Sequence, residues 1–327
     1  MSFFHRRKSA AEPTYPTFSP TEEKEGLLQR AATAVLAKRS AEKQQAKAED
    51  GRIHPVPKQS DTRFSDLIFA PEVNRRIAAL LCRIRHHRTL YEEWNLQKID
   101  PQGKHVAVNF YGPSGTGKTR AAYALAAELG KPIIEVSYAE LESKYVGVTS
   151  QNIEAAFAAA REHDAVLFFD EADSLLGKRL SRVTQASDHA VNTSRSVMLK
   201  QLDAFDGVVV FASNLVQSFD RAFVRRILEH IELPLPDTAT RTLLWQRFIT
   251  PRITGRDALD WAALAAASDG FSGGLILDAV KLACARAVTT AAADTAPVLL
   301  QAHLLSAISQ IAAARQVIGT NGSGANV

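Results

Sequence analysis

Gly112-Pro113-Ser114-Gly115-Thr116-Gly117-Lys118-Thr119 follows the apolar run Val106-Ala107-Val108-Asn109-Phe110 and opens a helical pattern that ends at Leu129-Gly130. The octet satisfies G-x-x-x-x-G-K-S/T, and its setting between a strand and a helix turns a pattern into a candidate phosphate site. Glycines let the backbone curl until successive N–H groups face one point, and the helix N-terminus adds its positive end. Lys118 is then placed for β- and γ-phosphates and Thr119 for Mg²⁺, which calls for ATP and Mg²⁺ as ligands. Pro113, Ser114, Gly115, Thr116 and Gly117 form the cradle, and Arg120 continues it along the helix.

A metal site needs a carboxylate beside Thr119, and the stretch Ala165-Val166-Leu167-Phe168-Phe169-Asp170-Glu171-Ala172-Asp173 offers one. An apolar run ending in paired acids describes a buried strand that delivers charge at its C-terminal edge. Asp170 fits the Mg²⁺ ligand, and Glu171 is placed to orient and polarise an attacking water. Asp173 is read as a cap on the following helix.

Working outward, strand patterns recur at 105–110, 132–137, 165–170, 207–212 and 228–234. Helical patterns lie between them at 117–129, 150–162, 188–204 and 219–224. This alternation predicts an α/β fold with a five-stranded parallel sheet of the P-loop NTPase kind. Beyond Pro236 only helical periods appear, at 238–249, 259–268, 274–290 and 298–314, so a small all-α lid domain is expected over 237–316. The α/β domain is placed at 63–236.

Before it, residues 1–20 mix basic residues with Pro13, Pro16 and Pro20 and read as a flexible arm. Residues 21–50 read as a helix with a short apolar stripe, 51–62 as a linker broken by Gly51, Pro55 and Pro57, and 317–327 as a disordered tail. A further amphipathic helix at 71–90 carries Arg75, Arg76, Arg83, Arg85 and Arg88 on one face, read as solvated. Hydrophobic residues make up 46% of the 327 and charged residues 23%, which excludes wholesale disorder. The formal charge of +4 neither demands nor excludes nucleic acid. Cys82 and Cys284 lie far apart in helical surroundings and read as small core residues, which fits a reducing compartment. No apolar run is long enough for a membrane span, and the charged start MSFFHRRKSAAEPTYP does not read as a leader, so a cytoplasmic location is expected.

The sequence resembles the AAA clade of the AAA+ ATPase superfamily, which includes spastin- and katanin-like proteins and small stand-alone bacterial remodelling ATPases. The resemblance spans about residues 62–316. It is carried by GPSGTGKT, Lys144-Tyr145-Val146-Gly147, VLFFDEADSLLGKR, Phe211-Ala212-Ser213-Asn214, Asp220-Arg221-Ala222-Phe223-Val224-Arg225-Arg226 and Phe271-Ser272-Gly273-Gly274, in the family's order. Arg63-Phe64-Ser65-Asp66-Leu67-Ile68 resembles the segment such ATPases place against adenine, which adds Asp66, Leu67 and Ile68 to the nucleotide contacts.

The resemblance implies further roles. Asn214 matches the first sensor, an amide able to hold water and phosphate together. Arg225 and Arg226 match the arginines inserted into a neighbouring subunit's site, where a guanidinium stabilises charge on the transferring phosphoryl. A chain that borrows them forms a homo-oligomer, most simply a hexameric ring. Tyr145 and Val146 match the first pore loop, which grips an extended polypeptide by stacking and apolar contact. Val148 stands where an acidic residue is usual. Residues 178–195 fall where a second pore loop lies, with Lys178, Arg179, Arg182 and His189 unassigned. Gly273 and Gly274 resemble the entry to the lid helix beside the nucleotide, with Leu275-Ile276 in place of an acidic residue.

No H-E-x-x-H and no G-x-S-x-G occurs, so peptide hydrolysis is not expected from these residues. The implied function is ATP-driven remodelling of a protein substrate or adaptor threaded through a central pore. The alternatives are an ATPase acting on nucleic acid, motivated by the basic helix, and an ATP-gated scaffold that does not hydrolyse. The uncharged pair Tyr145-Val146 favours protein over a phosphate-tracking channel.

Overall fold

The computed structural model describes residues 51–87, 89–99, 105–142, 147–177, 186–214, 219–290 and 295–322. The arm at 1–20 and the helix at 21–50 lie outside the described residues. Five strands form one parallel sheet in the order β2-β3-β4-β1-β5: β1 (Val106–Tyr111), β2 (Ile133–Ser137), β3 (Val166–Asp170), β4 (Val208–Ser213) and β5 (Ile227–Glu232). A parallel strand covered on both faces needs apolar residues at nearly every position, which is why the inner strands β1, β3 and β4 read as near-continuous hydrophobic runs, whereas the edge strand β5, Ile-Leu-Glu-His-Ile-Glu, is buried only at Ile227 and Ile231.

Alternate residues of those runs serve opposite faces. Val106, Val108, Phe110, Val166, Phe168, Val208 and Val210 pack with helices α1 (Pro71–Arg85) and α2 (Lys118–Glu128). Leu167, Phe169, Val209 and Phe211 pack on the other face with α4 (Val148–Glu162) and α6 (Ala186–Asp203). Short helices α3 (Tyr138–Leu141), α5 (Asp173–Leu176) and α7 (Arg221–Val224) follow β2, β3 and β4. Phe169 and Phe211 stack across β3 and β4 with ring centroids 5.5 Å apart, next to Phe157 of α4.

Among the described residues after β5 the α-helices are α8 (Thr238–Phe248), α9 (Trp261–Ala267), α10 (Gly273–Thr290) and α11 (Gln301–Gly322), and no strand is found. They enclose their own core around Trp245, Leu264, Phe271, Ile276 and Leu304. Asp237 caps α8 and Asp260 caps α9 by accepting backbone N–H groups, which fixes where each begins. The last helix runs on to Gly322, past the tail expected from 317, because no proline interrupts it; residues 323–327 lie outside the described residues.

Other details depart from the sequence expectation. The segment expected as linker is tied to the domain at two points: Lys58 exchanges backbone bonds with Ile133 of β2 and donates its ammonium to Glu135, while the Ile53 N–H bonds the buried Asn152 side chain of α4. Helix α1 stops at Arg85, followed by a π turn at Thr89–Glu93. Its basic face is not merely solvated. Arg75 pairs with Glu72, Arg76 and Arg83 with Glu229, and Arg85 with Glu128, whereas Arg88 lies outside the described residues. Cys82 is exposed on α1 rather than in the core, and Cys284 is half-buried.

Candidate functional site

Strand order brings distant residues together. β3, β4 and β1 are adjacent, so Asp170, Asn214 and the Gly112–Thr119 loop emerge side by side at the carboxyl edge of the sheet. Backbone bonds lock this edge: Gly112 N–H donates to the Ser213 carbonyl, and Ala172 N–H to the Ala212 carbonyl. Gly112 leaves β1 at φ +143°, with a hypothetical Cβ only 2.2 Å from the Leu233 carbonyl oxygen. No other residue fits there without moving the chain that follows β5.

Lys118, at the start of α2, donates from Nζ to the carbonyls of Gly112 and Pro113 at 2.8 and 2.9 Å and to Asn214 Oδ1 at 2.8 Å. Burial pushes its pKa below the ordinary lysine range, and the charges of Asp170 and Asp173 oppose that shift. Beside it, Thr119 Oγ1 donates to Asp170 Oδ2 at 3.0 Å. The other Asp170 oxygen accepts the Glu171 N–H, and Glu171 itself stands exposed in the left-handed region at φ +53°. A hydroxyl and a carboxylate oxygen this close are hard ligands suited to Mg²⁺. Among the described residues no group of three or more His, Cys, Asp or Glu side chains could hold a metal ion.

These groups line a cavity of about 390 Å³. Ser114, Gly115, Thr116, Gly117, Lys118, Thr119 and Arg120 form one wall, Asp66, Leu67 and Ile68 another, and Asp170, Glu171, Asn214, Gly273 and Gly274 complete the set expected from sequence. Pro113 does not line it; its carbonyl is used internally by Lys118 and by Thr116 Oγ1. Gly274 N–H donates to the Gly115 carbonyl at 2.9 Å, so the start of α10 rests directly on the Gly112–Thr119 loop. A Cβ on Gly115 would come within 2.6 Å of Ser272 Oγ, which explains small residues on both sides. Leu244, Arg247 and Phe248 of α8 also line the cavity, and Arg247 reaches Asp66 at 3.2 Å. Nothing in the local sequence of α8 marks them, since a helix facing a ligand keeps the same period as one facing a core.

One expectation needs correction. Asp173 does not cap α5; Ala172 holds the cap position, and the Asp173 carboxylate accepts the Asn214 backbone N–H at 3.0 and 3.2 Å. Because β3 and β4 are neighbours, the first turn of α5 faces the end of β4 more closely than its own N–H groups. Arg226, expected with Arg225 to serve a neighbouring subunit, is engaged within the chain. Its guanidinium, 26% exposed, forks onto both oxygens of Asp203 at the end of α6, at 2.6 and 2.8 Å, and donates to the Ala222 carbonyl. The bond to Asp203 raises its pKa further despite opposing burial. Arg225 is exposed.

Lys144, Tyr145 and Val146 lie outside the described residues, as do Lys178, Arg179 and Arg182. His189 falls within α6, which begins at Ala186, so part of the expected second loop is helix, and Arg195 there is buried.

Residues 108–235 match the family model described as "ATPase family associated with various cellular activities (AAA)". The chain is 34% identical over 173 residues to the 26S proteasome subunit RPT4 of Saccharomyces cerevisiae, a match covering 51% of this chain and 39% of that protein. It is 36% identical over 171 residues to spastin of Drosophila mojavensis, covering 50% and 22%, and 36% identical over 173 residues to spastin of Sus scrofa, covering 50% and 27%. The matched part thus spans well under half the length of these relatives.

Proposed function

From the AAA-family ATPase domain that residues 108–235 form, we propose that this chain hydrolyses ATP and uses the energy to remodel a protein, working as one subunit of a ring, most simply a hexamer. The observation that carries the reading is the meeting of Lys118, Thr119, Asp170 and Asn214 at the ends of three adjacent strands, on the wall of one cavity. Lys118 exchanges its loop carbonyls for β- and γ-phosphate oxygens. Thr119 and Asp170 would hold Mg²⁺, which would neutralise charge on the phosphates. Glu171, free to face the cavity, takes the proton of the attacking water, and Asn214 orients that water. The segment 66–68 and the start of α10 receive the base and ribose, with the helices over 237–316 acting as a lid on an ATPase domain at 63–236.

Arg225 serves the neighbouring subunit's site, and Tyr145 and Val146 grip the substrate in the channel. One relative is by name a subunit of a larger assembly, which supports oligomerisation. Ion pairing of Arg75, Arg76, Arg83 and Arg85 within the chain weighs against a nucleic-acid track on α1. No described helix is long and apolar enough to cross a membrane. Two cysteines without a disulfide support a reducing, cytoplasmic location.

Phosphate release measured with an unfolded protein, with DNA and with neither tests the cargo. Stimulation by protein alone is expected; stimulation by DNA alone would transfer the function to nucleic acid. Tyr145→Ala tests the grip, because it removes a stacking surface and should leave basal hydrolysis and melting unchanged while abolishing stimulation by protein. Unchanged stimulation would remove Tyr145 from the work.

A further inference from the structure

We propose that Asp173 is a positioning residue for hydrolysis: its carboxylate, by holding the backbone N–H of Asn214, fixes the sensor amide relative to Asp170 and Glu171. The inference rests on the reading of the site as an ATPase centre and goes beyond it, since Asp173 need touch neither nucleotide nor metal.

Asn214 is the first residue past β4, where the strand ladder no longer disciplines the backbone. Both Asp173 oxygens face its N–H, at 3.0 and 3.2 Å, and a carboxylate acceptor makes this bond about twice as strong as a neutral one. The side chain of the same Asn214 accepts from Lys118 at 2.8 Å, so its amide is tied at one end to the loop after β1 and at the other to Asp173. Asp173 itself is well anchored. Ala172, one residue before it, is bonded to the Ala212 carbonyl, and the Leu176 carbonyl at the end of α5 accepts the Asp220 N–H. The turn carrying Asp170 and Glu171 is therefore continuous with a short, doubly tied helix whose first side chain reaches across to the sensor. Two groups that must address one water from different strands need such a strut, because an error of about 1 Å in placement can cost about a hundredfold in rate.

A loss of positioning appears in kcat, whereas a lost nucleotide contact appears in binding. Steady-state kcat and KM for ATP, equilibrium ATP binding and thermal melting are measured on Asp173→Ala, Asp173→Ser and Asp173→Asn, with Glu171→Gln alongside. Serine keeps a polar first turn with a hydroxyl too short to reach the amide, and it stands in should the alanine variant fail to fold. Asparagine keeps an acceptor oxygen at the right reach.

Expected are a fall in kcat of about tenfold or more for Ala and Ser with KM within about twofold, and recovery of most of that loss by Asn. Wild-type kcat in both Ala and Ser, an Asn variant as slow as Ala, or a change confined to KM would overturn the proposal. Wild-type hydrolysis by Glu171→Gln would instead overturn the reading of the site on which it rests, and the strut with it. With Glu171→Gln inactive, the Asp173 variants judge the strut alone.

Discussion

Lys118 Nζ and Asn214 Oδ1 lie 2.8 Å apart, although 96 residues separate them in the chain. The pair joins the loop after β1 to the end of β4. Lys118 is also half-buried, and desolvation lowers its pKa against the opposing pull of Asp170 and Asp173. A phosphate partner needs the ammonium form, which rising pH removes. Nucleotide affinity is therefore expected to fall on the alkaline side with an inflection below the ordinary lysine range. Lys118→Arg stays protonated throughout, so any binding it retains should lack that inflection in a titration of affinity against pH. Identical alkaline profiles for the two proteins would assign the loss elsewhere.

Gly112→Ala is expected to be among the most damaging single methyl additions. At φ +143° the new Cβ meets the Leu233 carbonyl at 2.2 Å, and backbone cannot yield as a side chain can. Melting should show a loss of about 2 kcal/mol or more, together with lost nucleotide binding, since the same turn presents its carbonyl to Lys118. A variant with wild-type melting and affinity would mean that the turn after β1 is looser than drawn.

Arg225 and Arg226 should separate cleanly. Arg226→Ala and Asp203→Ala break a half-buried bidentate pair and should each cost about 1–2 kcal/mol of stability, with little further cost when combined. Arg225→Ala should melt like wild type, yet poison wild-type subunits in a mixing titration because each defective subunit disables its neighbour's site. Poisoning by Arg226→Ala at unchanged stability, with none by Arg225→Ala, would reverse the assignment.

How much of this was legible in the sequence follows from what is local. Runs such as Val166–Phe169 announced buried parallel strands, and Gly112–Thr119 announced its loop because every residue it needs is contiguous. Strand order is not local, and only the order β2-β3-β4-β1-β5 tells that Asp170, Asn214 and Lys118 meet. Partner choice is equally hidden: Asp173 satisfied the sequence rule for a cap yet accepts a backbone N–H from the end of β4, and nothing local marked Asp203 as the partner of Arg226. The basic face of α1 looked solvated because its partners Glu229 and Glu128 sit far along the chain.

The central claim, that one cavity both binds ATP through Lys118 and hydrolyses it through Glu171, is tested most directly by measuring equilibrium ATP affinity and steady-state phosphate release side by side on Lys118→Ala and Glu171→Gln. Lys118→Ala should lose binding and turnover together. Glu171→Gln should keep ATP affinity near wild type and lose turnover by at least about a hundredfold, since the amide cannot take the proton of water. Phosphate release by Glu171→Gln at the wild-type rate would contradict the account.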